Sequence, residues 1–93
     1  MAITNPNMKP IIAVLGEDTV KLKPDFIYEF MGRGYIYTYQ TIGKGQATVE
    51  VSNDKITWVE LISFEDYDYA VVAHTWAYHR LKPTPLTITV RRD

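Results

Sequence analysis

Apolar and polar residues alternate with a period of two along most of the chain, and this constrains the fold more than any other feature. Residues 19–23 read Thr-Val-Lys-Leu-Lys, residues 47–51 Ala-Thr-Val-Glu-Val and residues 86–90 Leu-Thr-Ile-Thr-Val. Successive side chains of a strand point to opposite faces, so the pattern builds half-buried strands and leaves no stripe for an amphipathic helix. Residues 11–15, 26–30, 35–39 and 56–61 continue the series, and residues 69–81 are long enough for two strands or one bent strand. Gly16-Glu17-Asp18, Pro24-Asp25, Gly32-Arg33-Gly34, Gly43-Lys44-Gly45 and Ser52-Asn53-Asp54-Lys55 punctuate them as turns. Residues 47–61 form the clearest hairpin. Residues 64–74 are the only stretch with room for a helix, and β-branched Val71 and Val72 oppose one. The expected fold is all-β: a single small β-sandwich or jelly roll of about eight short antiparallel strands over residues 11–93, preceded by an extended N-terminal arm over residues 1–10.

Ninety-three residues make one domain with a modest core. The ten basic and eleven acidic residues nearly cancel, which leaves no footprint for nucleic acid. No apolar run approaches the roughly 20 residues that span a bilayer. The first ten residues lack the basic and apolar regions of a signal peptide. Zero cysteines exclude disulfides and thiolate metal sites, and are consistent with folding in a reducing cytosol.

Constellations for catalysis are sparse. His74 and His79 are five apart, so on one straight strand they face opposite ways, and they meet only if the chain bends between them. Neither has a recognisable nucleophile beside it. Glu65, Asp66 and Asp68 make a dense acidic cluster without the loop pattern of a calcium site, and read as a solvated loop. The two Gly-x-Gly pairs do not open a helix after a strand, so they do not cradle phosphate. The expectation is a non-enzyme with no cofactor and no metal.

Tyr35, Tyr37 and Tyr39 are expected on one strand face. They can pack in the core or rim, form a protein interface, or make a platform for glycans or bases. An interface satisfies three tyrosine hydroxyls more readily than a sealed core does. Tyr35, Tyr37, Tyr39, Ile11 and Ile12 are therefore the candidate protein interface, and Trp58, Trp76, Val49 and Val51 the structural core.

Residues 47–61, with Ser52-Asn53-Asp54 leading to Trp58, resemble the Ser-x-Asp-x-x-x-Trp hairpin of discoidin-like β-sandwiches. Trp76-Ala77-Tyr78-His79-Arg80-Leu81 resembles their aromatic-x-Arg-Leu strand. Together with the Thr-rich residues 86–90, these segments are similar to small structural proteins of tailed bacteriophages: capsid decoration (cement) proteins and tail or fibre components. The resemblance implies a virion structural protein, assembled in the host cytoplasm, that binds the major capsid protein or another virion protein as a homo-oligomer, a trimer or dimer. No nucleic acid or membrane partner is implied. The alternative is a carbohydrate-binding or tail adhesion module, with Tyr35, Tyr37, Trp76 and Asp68 as candidate contacts.

Overall fold

The alternating segments become nine strands in a computed structural model that describes residues 9–16 and 18–93. They are β1 (Ile11–Val14), β2 (Thr19–Leu22), β3 (Ile27–Phe30), β4 (Ile36–Ile42), β5 (Ala47–Ser52), β6 (Val59–Phe64), β7 (Tyr69–Ala73), β8 (Tyr78–Leu81) and β9 (Thr87–Arg92). There is no helix among the described residues. The strands form a five-stranded sheet in the order β1-β3-β8-β5-β6 and a four-stranded sheet in the order β2-β9-β4-β7. The expected β-sandwich is thus present. One pair departs from the antiparallel expectation: β1 runs parallel to β3, with Ile11 beside Ile27 and Val14 beside Phe30. Eight residues of the expected N-terminal arm, 1–8, lie outside the described residues. Lys9 and Pro10 are tied to the domain: Lys9 Nζ donates to the Pro24 carbonyl (2.6 Å), and Ile27 N donates to the Pro10 carbonyl (2.9 Å).

Only one pair of consecutive strands shares a hydrogen-bonded ladder, the β5–β6 hairpin, and a bulge between Val49 and Glu50 shifts its register. Every other connection carries the chain from one sheet to the other. Each pleat then aims alternate residues at the opposing sheet. Tyr28, Phe30, Val49, Phe64 and Leu81 from the five-stranded sheet meet Leu22, Tyr37, Tyr39, Ile88 and Val90 from the four-stranded one, all buried. Full burial of side chains this size stabilises by about 1.5–3 kcal/mol each before entropy is counted. Phe30 packs edge-on to Tyr37, with ring centroids 5.4 Å apart, and Tyr39 meets Phe64 at 5.8 Å, so aromatic contacts join the layers.

Val49 and Val51 sit in this core as expected. Trp58 and Trp76 do not, which corrects the expectation for both. Trp58 precedes β6, and the Arg80 guanidinium lies over its ring, 4.3 Å from the centroid. Arg80 also pairs with Glu50 (Nε to Oε1, 2.9 Å). Their neighbours in sequence, Val49, Val51, His79 and Leu81, point inward, so Glu50 and Arg80 face outward and hold Trp58 on the outside of the sheet. Trp76 lies in the β7–β8 connection, outside both sheets and half-buried.

Candidate functional site

The residues with the most chemistry converge at the middle of the sandwich. His74 follows β7 in one sheet, and His79 lies on β8 in the other. The chain bends between them and crosses the sandwich, so both rings reach one hydroxyl. Tyr39 Oη is 3.0 Å from His74 Nε2 and 2.7 Å from His79 Nε2. The ring of His74 stacks on Tyr37 (3.9 Å, 2°).

The direction of these bonds follows from one backbone amide. Trp76 N–H donates to His74 Nδ1 (3.2 Å), so a neutral His74 carries its proton on Nε2 and donates it to Tyr39 Oη. Tyr39 then donates to His79 Nε2, and the proton of His79 stands on Nδ1, a buried atom without a partner among the described residues. Burial, reinforced by the positive charge of Arg92, pushes the His74 pKa down to about 4. Burial, then the neighbouring His74 and Arg92, push His79 down to about 3. Burial, then Tyr37, raise the Tyr39 hydroxyl far above its usual range. All three groups are neutral at pH 7.

Two of the three members are closed to solvent, and His74 is half-buried. His79 and Tyr39 are sealed from solvent, at 0% and 1% exposure, so neither can touch a reactant. Among the described residues, no three His, Cys, Asp or Glu side chains are grouped to hold a metal.

The tyrosine stripe divides for the same reason. Tyr37 and Tyr39 point inward from β4 and are core residues, which corrects the expectation that they present an interface. The Tyr39 hydroxyl is met inside by the two histidines, and the Arg92 guanidinium lies 5.7 Å from the Tyr37 ring centroid. Tyr35 falls outside β4, after Gly34 at φ +117°, and is 58% exposed. Ile12 packs half-buried against the core, while Ile11 is exposed. The candidate interface therefore reduces to Ile11 and Tyr35. Of the glycan candidates, Tyr37 is buried, Trp76 is half-buried, and Asp68 spends its carboxylate on the backbone amides of Glu65 and Tyr69.

Two of the accessible surfaces have a construction of their own. On β1, the outward row is Ile11, Ala13 and, just past the strand, Leu15; Met31, whose amide bonds the Val14 carbonyl, stands beside it. On the outside of the four-stranded sheet, a groove of about 580 Å³ runs across β9, β4 and β7. The sequence marked its acidic rim but not the groove, because Gln40, Thr89 and Tyr69 come from three strands whose order the alternation does not encode.

No protein-family model, curated protein or solved structure matches this chain.

Proposed function

We propose that this chain is a virion structural protein of the capsid decoration (cement) type, which binds the major capsid protein or another virion subunit and works as a homo-oligomer without catalysis. The observation that supports this reading best is the outward row of β1. Edge strands of natural sheets are usually guarded by charge, proline or a bulge, because their unpaired backbone groups recruit other strands. Among the described residues β1 pairs only with β3, and its outward side chains are apolar: Ile11 is 47% exposed and Leu15 64%. Met31, at 45%, extends the patch. One edge of the other sheet, β2, carries exposed Lys21 and is followed by Lys23, which is the guarded pattern. The two segments that resemble phage structural proteins also pack together, through Arg80 over Trp58 and the β5–β8 ladder.

The reading is tested by light scattering and by co-sedimentation with capsids from the same genome. The wild-type chain is expected above monomer mass and bound to capsids, and Ile11→Lys with Leu15→Lys is expected to reduce both. A strictly monomeric chain that leaves capsids untouched overturns the proposal.

A further inference from the structure

The groove on the four-stranded sheet has a construction of its own. The cross-strand register sets Val71, Thr38, Arg91 and Thr19 in one row and Tyr69, Gln40, Thr89 and Lys21 in the next. Aromatic and apolar groups thus stand at the β7 side, and hydroxyl and amide groups in the middle. Tyr67 closes the β7 end. Tyr67 and Tyr69 are 67% and 76% exposed, although nothing in the core requires an aromatic ring at either position.

Tyr67 is also in the wrong backbone conformation for its side chain. Its φ is +44°, in the left-handed region where Gly or Asn is usual, at a cost on the order of 1–3 kcal/mol. The loop is held there from below and from the side. Tyr67 N donates to the Gly43 carbonyl (3.2 Å), Asp68 N to Thr41 Oγ1 (2.6 Å), and Gly45 N to Asp66 Oδ1 (2.6 Å). A strained, pinned and exposed tyrosine beside a row of polar groups is preorganised to present its ring.

We propose that this groove binds a neutral glycan chain. Sugar rings offer C–H faces that lie on Tyr67 and Tyr69, and hydroxyls that exchange hydrogen bonds with Gln40, Thr38 and Thr89. The local charge selects against the other extended ligands with stacking faces. Glu65, Asp66 and Asp68 border the aromatic end, Arg91 is paired with Asp93 (3.2 Å), and Lys21 stands at the far β2 end of its row, so a phosphate or sulfate chain lying on the tyrosines meets repulsion with a single distant lysine to offset it. A peptide strand would take its bonds from the β7 edge, whereas here the polar side chains stand in the middle of the sheet.

The test is affinity electrophoresis of the full chain in gels containing neutral polysaccharides (a β-glucan, an α-glucan and a galactomannan), with dextran sulfate and poly(dT) as charged arms. Retardation by at least one neutral polysaccharide is expected, and none by the charged arms. Tyr69→Ala is expected to weaken it about tenfold, the factor that about 1.4 kcal/mol produces. Tyr67→Gly is the decisive variant, because it removes the ring and relieves the backbone: binding should fall while the unfolding midpoint holds or rises. The Ile11→Lys, Leu15→Lys chain should still bind, which separates this groove from the assembly surface. No retardation by any neutral polysaccharide overturns the proposal. So does retardation only in the charged arms, or retardation that Tyr67→Gly and Tyr69→Ala leave unchanged.

Discussion

Tyr39 holds the two histidines of this protein with a single oxygen. Replacing it with Phe keeps the ring against Phe64 and removes only the hydroxyl, leaving half-buried His74 Nε2–H without its acceptor and buried His79 Nε2 without its donor. A buried polar group stripped of its partner costs about 1–3 kcal/mol, so Tyr39→Phe is expected to lower stability by about 2 kcal/mol or more in urea unfolding. A loss within error would show that the bonds carry no net stability. The same site sets a pH dependence. The unfolded chain protonates each histidine near its ordinary 6.5, whereas the folded protein resists until about 4 at His74 and about 3 at His79. Above pH 6.5 the histidines favour neither state. Below it the unfolded chain binds more protons, so stability falls with falling pH down to about pH 3 and then levels. The positive charge of Arg92 opposes protonation of both rings. The urea midpoint should therefore drop between pH 7 and pH 4. A midpoint flat over that window would mean that the histidines take up protons in the folded state. Little of this could be read in the chain. The odd spacing of His74 and His79 pointed them apart, and only the bend between β7 and β8 brings them together.

The alternation located seven of the nine strands to within a few residues, and it allowed either two strands or one bent strand over residues 69–81, where β7 and β8 form. It could not tell inward tyrosines from outward ones, because Tyr35, Tyr37 and Tyr39 share one parity and only the strand start at Ile36 separates them. That start is fixed from a distance, by the closing strand. Tyr35 N and Ile36 N both donate to the Asp93 carbonyl (3.1 and 3.0 Å), and Arg92 donates to the carbonyls of Phe30, Gly32 and Gly34 (2.7, 2.6 and 2.8 Å). Gly34 permits the approach. Its φ is +117°, and a Cβ there would fall on the Asp93 backbone. Gly34→Ala is accordingly expected to destabilise more than a helix or strand propensity change would, by about 2 kcal/mol or more. Gly16→Ala is the control, since the nearest atom to its Cβ would be 3.6 Å away, an ordinary contact. Equal midpoints for the two variants in thermal unfolding would remove the β9 clasp from the account of β4.

At the scale of the whole molecule, the period of two specifies that strands form but says nothing of which strands pair. Here the pairing is almost entirely between segments distant in sequence. β2 finds β9, β3 finds β8, and β4 lies between β9 and β7, while only β5 and β6 are joined by a local hairpin. Each non-local ladder must close a long loop before its bonds form, and that entropy sets the folding barrier. Refolding from urea is therefore expected on a timescale on the order of milliseconds to seconds, slow for a chain of 93 residues. The β5–β6 hairpin is the one element able to form early, and its partner β8 is the next strand added to it across the sheet. Substitutions at Val49 or Leu81, which face each other across β5 and β8, should then slow folding, because their contact belongs to the first non-local pair. Substitutions at Val20 or Leu22 on the outer strand β2 should mainly speed unfolding, because β2 joins only through β9, which must already be in place. Stopped-flow chevrons of Val49→Ala, Leu81→Ala and Leu22→Ala distinguish the two orders. If Leu22→Ala slowed folding as much as Val49→Ala, the nucleus would span both sheets, and the hairpin would have no priority.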